Sequence, residues 1–118
     1  MTAQILIIDD DNDIREAVHE VLETEGYAVS SFSNGKLALE FLVKSEVPKL
    51  ILLDYMMPVM NGSEVLTSLK QDPRLATIPV FIMSAARERR GTEAANGYVS
   101  KPIELEDLLK LISQHCPS

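Results

Sequence analysis

The sequence predicts an α/β protein built on a five-stranded parallel sheet with helices on both faces. Short apolar runs alternate with amphipathic segments five times along the chain, and most of these runs end in an acidic or hydroxyl side chain. Parallel strands are usually joined by a right-handed crossover through a helix, which this alternation provides. We therefore expect residues 1–118 to form one doubly wound domain.

The strands are predicted from runs of apolar residues. Segments 5–8 and 50–53 contain only Ile and Leu, which is typical of strands buried on both faces. Segment 28–32 is more polar and predicts a strand at the edge of the sheet. The fourth strand is expected over 79–83, and a short fifth strand over 98–100.

The helices are predicted from apolar residues that recur at helical spacing. Asp11, Asn12 and Asp13 are expected to start the first helix, Gly26 to end it, and Asn34 to start the second. The expected buried faces are Ile14, Ala17, Val18, Val21 and Leu22 in the first helix, Leu37, Ala38, Phe41 and Leu42 in the second, Val65, Leu66 and Leu69 in the third, and Leu105, Leu108, Leu109 and Ile112 in the last.

The connection between the fourth and fifth strands is unusually short. Its twelve residues, 85–96, are close to the minimum for a parallel crossover, contain no large apolar side chain and have Gly91 in the middle. We therefore expect the fourth helix to be missing or limited to one or two turns, because it has little to pack on the sheet. The predicted loop carries Arg87, Arg89 and Arg90; the alternative is a helix held by Ala85, Ala86, Ala94 and Ala95.

Composition excludes several classes of protein. With 11 Lys and Arg against 18 Asp and Glu, the formal charge is −7, which argues against direct nucleic-acid binding. The single cysteine, Cys116, excludes an internal disulfide and a multi-cysteine zinc site. No apolar run is long enough for a membrane span, and the first residues lack a signal-peptide pattern, so a cytoplasmic location without membrane contact is expected.

Polar side chains follow four of the predicted strands. Asp9 and Asp10 follow the first strand, Asp54 the third, Ser84 the fourth and Lys101 the fifth. The ligand site of such a sheet lies at the carboxyl ends of its strands, so these residues should meet at one edge. Clustered carboxylates repel one another unless a cation such as Mg²⁺ joins them. A carboxylate can accept a phosphoryl group, and a lysine with a metal ion stabilises its charge, so the set fits phosphoryl transfer to Asp54.

The chain resembles the receiver domains of two-component response regulators. Four segments carry the resemblance in the same order along the chain: Ile8-Asp9-Asp10, Leu53-Asp54-Tyr55-Met56-Met57-Pro58 with Gly62 after it, Ser84-Ala85, and Tyr98-Val99-Ser100-Lys101-Pro102. The resemblance covers essentially the whole chain. It implies the flavodoxin-like, CheY-like strand order 2-1-3-4-5.

The resemblance also implies the phosphoacceptor and its metal site. Asp54 matches the phosphorylated aspartate, and Asp9 and Asp10 match the acidic pair that holds Mg²⁺ together with Asp54. The backbone carbonyl of Met56 completes that metal site. Met56 and Ala86 match positions beside the path of the hydrolytic water, and since neither binds water well, a long-lived aspartyl phosphate is expected.

The remaining matched residues are implied to sense the phosphoryl group. Lys101 matches the lysine that pairs with it, and Pro102 matches a cis proline. Ser84 matches the hydroxyl residue that turns toward the phosphoryl group. Tyr98 matches the aromatic residue whose exposure changes as the Ser84 hydroxyl moves.

The function implied is that of a signalling domain. It takes a phosphoryl group from the phosphohistidine of a histidine kinase or a histidine phosphotransfer domain. It then switches conformation to control a downstream protein or a fused output domain. It would catalyse only its own phosphorylation and dephosphorylation.

Three alternatives use similar residues or the same topology. A haloacid-dehalogenase-like small phosphatase also has an aspartate nucleophile, but the chain is short for that fold and its cap. A receiver-like interaction module that has lost phosphorylation is disfavoured by the complete acid, hydroxyl and lysine set. A binder of flavin mononucleotide would need a phosphate-cradling loop where residues 9–11 are all aspartate.

Overall fold

The sheet has five parallel strands in the order β2-β1-β3-β4-β5, which confirms the strand order that the sequence predicted. The computed structural model describes residues 4–57, 60–84 and 91–116. The central strands, β1 and β3, are buried on both faces because each is covered by helices above and below the sheet. The strands are β1 (Ile5–Ile8), β2 (Val29–Phe32), β3 (Leu50–Asp54), β4 (Val80–Ser84) and β5 (Gly97–Ser100).

The helices are α1 (Asn12–Thr24), α2 (Gly35–Lys44), α3 (Gly62–Gln71) and α4 (Leu105–His115). The predicted starts are confirmed, because the side chain of Asp11 caps α1 and that of Asn34 caps α2. Gly26 follows the end of α1 with a φ of 98°, as expected for a glycine that ends a helix. None of the helices in the described ranges combines the length and apolarity that a bilayer-spanning segment requires.

Helices cover both faces of the sheet. Alternate residues of a strand point to opposite faces, so Leu6 and Ile8 pack toward α2 and α3, whereas Ile5 and Ile7 pack toward α1 and α4. This arrangement confirms the doubly wound class. Because the strands are parallel, the carboxyl ends of β1, β3, β4 and β5 lie at one edge of the sheet. The predicted site residues lie at this edge.

Three apolar residues that were expected to be buried against the sheet are exposed to solvent. Ala17 of α1 is exposed, and the side chains of Leu37 and Leu105 are 45% and 48% exposed. Each lies at the margin of its helix's apolar stripe, which is wider than the part that contacts the sheet. Ala17 and Leu105 border one open groove between α1 and the segment before α4.

The described part of the connection between β4 and β5, residues 91–96, consists of turns and bends with no helix. Ala94 and Ala95 are therefore not helical, and the shortening expected for this crossover is confirmed over these residues. Asn96 closes the connection onto β4, since its backbone N–H donates to Val80 O at 2.8 Å and its side chain accepts from Val80 N at 2.9 Å. The predicted loop with Arg87, Arg89 and Arg90, and the alternative contacts of Ala85 and Ala86, lie outside the described residues.

Candidate functional site

Three carboxylates meet at the carboxyl ends of β1 and β3. These strands are neighbours in register, with Ile8 opposite Leu53, so the residues that follow them are brought together. Asp9, Asp10 and Asp54 each offer an oxygen, and these oxygens lie within 4.8 Å of one another. Asp9 is fully buried and Asp54 is 5% exposed, whereas Asp10 is exposed to solvent. The predicted acidic cluster is thus formed, with one side open.

Lys101 forms ion pairs with two of these carboxylates. Its Nζ lies 3.2 Å from Asp9 Oδ2 and 3.1 Å from Asp54 Oδ1. The Lys101 backbone N–H donates to Ser84 O at 3.0 Å, which continues the pairing of β4 with β5 and brings the lysine to the edge. The Lys101–Pro102 peptide bond is cis, as the resemblance implied.

Burial gives the pocket unusual electrostatics. It raises the pKa of the Asp54 carboxyl from 3.8 to about 7, with the negative charge of Asp9 adding to the rise and Lys101 opposing it. Burial alone would lower the pKa of Lys101, but the carboxylates of Asp9 and Asp54 outweigh it and raise that pKa above 10.5. The pocket therefore holds more negative charge than its single lysine neutralises.

Asp9 is fixed by hydrogen bonds on both its backbone and its side chain. Its N–H donates to Phe32 O at 3.1 Å, and its Oδ1 accepts from Asp11 N at 2.9 Å. Its backbone carbonyl accepts from Arg15 Nη1 at 2.8 Å. Arg15 was not among the site residues predicted from the sequence. The sequence signal that could have drawn attention to Arg15 is its positive charge at the end of the first turn of α1, where the helix dipole disfavours a cation.

The loop after Asp54 returns closely to the strand that it leaves. Gly62 N donates to Tyr55 O at 2.9 Å, and a Cβ at position 62 would lie 2.9 Å from Asp54 O and from Tyr55 Cα. Glycine is therefore required for α3 to begin against the end of β3. Met56 lies in this loop with its side chain 70% exposed.

Ser84 and Tyr98 lie on the two strands next to the acidic cluster. Ser84 ends β4 one residue after Met83, which is in register with Asp54. The half-buried Tyr98 ring packs against the core, and its hydroxyl lies 3.1 Å from Thr92 Oγ1 and donates to Thr92 O at 3.2 Å. Thr92 is fully buried. Its burial could not be predicted from the sequence, because a single threonine in a polar segment gives no signal of burial.

The donor set suits a hard divalent cation. When all three carboxylates are ionised, the single ammonium leaves two negative charges in excess, and carboxylate oxygens are the ligands that Mg²⁺ prefers. A bound cation would lower the pKa of Asp54, which burial raises, and would favour its ionised form. An ionised Asp54 beside Lys101 is a carboxylate nucleophile next to a fixed positive charge.

Comparison with known proteins agrees with this geometry. The family profile of the response regulator receiver domain matches residues 5–113. The two-component response regulator ORR5 of Oryza sativa is 33% identical over 115 residues, which cover 93% of this chain and 86% of that protein.

Two solved structures are similar over nearly the whole chain. The chemotaxis protein CheY4 of Vibrio cholerae superposes with a TM-score of 0.87 at 27% identity, covering 98% of this chain and 99% of that one. The response regulator TrrA of Thermotoga maritima, in complex with Mg²⁺-BeF, gives a TM-score of 0.81 at 29% identity, covering 97% and 98%. The profile match, the strand order and the acidic pocket agree, and the chain belongs to the response regulator receiver domain family of two-component signalling.

Proposed function

We propose that Asp54 accepts a phosphoryl group from the phosphohistidine of a histidine kinase or a histidine phosphotransfer domain. The observation that carries this proposal is the Asp54 carboxylate, nearly buried among two other acids and 3.1 Å from Lys101 Nζ. Receiver domains of two-component systems interact with histidine kinases and output domains, which supports this donor class.

The transfer needs an ionised Asp54 and a stabilised phosphoryl group. An Asp54 carboxylate oxygen forms a bond to phosphorus while the bond between phosphorus and the donor imidazole nitrogen breaks; that nitrogen keeps the electron pair. Lys101 Nζ stabilises the negative charge on the phosphoryl oxygens. The domain's chemistry is limited to its own phosphorylation and dephosphorylation.

Mg²⁺ belongs to the proposal as the resident cation. Asp9, Asp10, Asp54 and the backbone carbonyl of Met56 would hold it. When bound, the ion supplies positive charge to the phosphoryl oxygens. The convergence of the three carboxylates supports this ligand set, as does the likeness to TrrA, whose structure contains Mg²⁺-BeF.

Phosphorylation then shifts the domain between two conformations. The Ser84 hydroxyl turns toward the phosphoryl group and the Tyr98 ring changes its exposure. The position of Ser84 at the end of β4, and the half-buried Tyr98 ring on the adjacent strand, support these roles. We propose that residues 1–118 act as one domain in the cytoplasm, controlling a downstream protein or a fused output domain without contacting nucleic acid or membrane itself.

The test is labelling with acetyl phosphate and Mg²⁺, followed by intact-mass analysis. The wild-type protein should gain the mass of one phosphoryl group, and Asp54→Asn should gain none. Asp107→Asn, an exposed carboxylate in the first turn of α4, is the matched control and should be labelled like wild type. A phosphoryl adduct that survives in Asp54→Asn would contradict the assignment.

Turnover of a phosphate ester and the same labelling together separate the alternatives. A small phosphatase would release many equivalents of p-nitrophenol from p-nitrophenyl phosphate, whereas a receiver domain would not sustain turnover. A receiver-like module that has lost phosphorylation would take up no phosphoryl group even as the wild-type chain.

A further inference from the structure

Arg15 reaches back from α1 to the loop that carries Asp9 and Asp10. Its Nη1 donates to Asp9 O at 2.8 Å, and its Nη2 donates to Asn12 Oδ1 at 2.7 Å. A cation at the end of a helix's first turn is disfavoured by the helix dipole, so the dipole does not explain an arginine at this position. The guanidinium instead contacts the Asp9 carbonyl in the loop and the Asn12 side chain at the start of α1.

The carbonyl that Arg15 holds belongs to the peptide unit between Asp9 and Asp10. Asp9 is already fixed by Phe32, Asp11 and Lys101, whereas Asp10 is exposed and continues the chain from that peptide unit. The orientation of this peptide plane sets the direction in which the Asp10 side chain leaves the backbone. A charged donor makes a stronger hydrogen bond to a carbonyl than a neutral one, so the plane is held firmly.

We propose that Arg15 is a positioning residue for the divalent-cation site. It does not touch the ion, but fixes the peptide between Asp9 and Asp10 so that the Asp10 carboxylate stays beside Asp54. This inference rests on the Mg²⁺ site of the proposed function. Outer hydrogen bonds that orient metal ligands typically change metal affinity by about 10–100-fold.

Charge alone predicts the opposite sign. Arg15 adds a positive charge near a site for a cation, and by Coulomb's law its removal should strengthen Mg²⁺ binding. If its main role is to orient the peptide, its removal should weaken Mg²⁺ binding instead. The direction of the change therefore decides between the two roles.

The experiment is a calorimetric Mg²⁺ titration of wild type, Arg15→Met, Arg15→Lys and Asn12→Ala. Arg15→Met should bind Mg²⁺ about tenfold more weakly. Arg15→Lys, which can restore one hydrogen bond, should recover part of that loss. Asn12→Ala keeps the charge and removes the second contact of the guanidinium, so it should weaken binding less than Arg15→Met does. If Arg15→Met does not fold, Asn12→Ala still measures how the contacts of the guanidinium affect Mg²⁺ affinity.

Arg74→Met is the matched control. The Arg74 guanidinium also donates to backbone carbonyls, those of Leu42 and Ser45, but it does so near the end of α2. Its removal takes away the same charge and should lower thermal stability while leaving Mg²⁺ affinity unchanged. An equal loss of Mg²⁺ affinity in Arg74→Met would overturn the proposal.

A second readout separates positioning from catalysis. In acetyl-phosphate labelling, Arg15→Met should need more Mg²⁺ to reach half its maximal rate, yet its rate at saturating Mg²⁺ should be close to wild type. Unchanged or tighter Mg²⁺ binding in Arg15→Met overturns the role of Arg15 while the proposed function stands. A wild-type chain that binds no Mg²⁺ overturns both.

Discussion

Met56 matches one of the two positions that, by the resemblance to receiver domains, flank the path of the water that would hydrolyse a phosphorylated Asp54. It lies two residues after Asp54 and its thioether is 70% exposed. Hydrolysis of an aspartyl phosphate requires a water positioned in line with the phosphorus atom, and a thioether binds water poorly. The phosphorylated protein should therefore persist for minutes or longer.

Met56→Asn should shorten that lifetime severalfold, because its amide can hydrogen-bond the attacking water. Phosphate release after removal of the donor measures the rate, and Met56→Leu should behave like wild type. Equal rates for Met56→Asn and Met56→Leu would contradict the idea. Ala86, which the resemblance places on the other side of the water path, lies outside the described residues.

At the scale of elements, the connection from β4 to β5 is anchored to α3 through Gly91. Ser63 Oγ donates to Gly91 O at 3.1 Å, Gly91 has a φ of 78°, and a Cβ there would overlap the Ser63 side chain. Gly26 is a matched comparison, since its φ is also positive but no atom lies within 4 Å of its Cβ position.

Both glycines should resist substitution, but to different extents. Gly26→Ala should lower the free energy of unfolding by about 1 kcal/mol, from backbone strain alone. Gly91→Ala should lower it by roughly 2–4 kcal/mol, because displacement of Ser63 is added to that strain. Urea unfolding measures both values, and equal losses would show that the contact of Gly91 with Ser63 contributes little.

The elements that could be predicted are those whose local pattern and tertiary environment agree. β1 and the first four residues of β3 are unbroken apolar runs because both of their faces are buried. The caps Asp11 and Asn34 act within a single turn. The acidic cluster was also predictable, because parallel topology alone brings the ends of neighbouring strands together.

Other features depend on tertiary contacts that no local pattern encodes. The burial of Thr92 depends on Tyr98 and on how the short connection folds back. The exposure of Leu37 depends on how far α2 is rotated on the sheet. The contact of Arg15 with the Asp9 carbonyl follows from the path of a three-residue loop, and loop geometry is set by the elements that it joins.

At the scale of the whole molecule, the acidic pocket makes the stability of the fold depend on pH. The pKa of Asp54 is about 7 in the folded chain, against an ordinary value of 3.8 that applies when the chain is unfolded. Between these values the folded state binds more protons at Asp54 than the unfolded state does. The contribution of Asp54 to stability is therefore full below about pH 4 and is lost progressively as the pH rises from about 4 to about 7.

Asp54→Asn should remove this dependence, because asparagine keeps the size of the side chain and carries no charge. At pH 8 and without Mg²⁺, the variant should be more stable than wild type by roughly 1–3 kcal/mol, and the difference should shrink toward pH 4. Urea unfolding across this pH range measures it, with Asp107→Asn as the exposed control that should follow wild type. A difference between Asp54→Asn and wild type that stays constant with pH would mean that the charge of Asp54 does not oppose folding. If the difference shrinks as the pH is lowered, the carboxylate proposed to accept the phosphoryl group is also the group that destabilises the pocket without Mg²⁺. Added Mg²⁺ should then raise the stability of wild type at pH 8 but not that of Asp54→Asn.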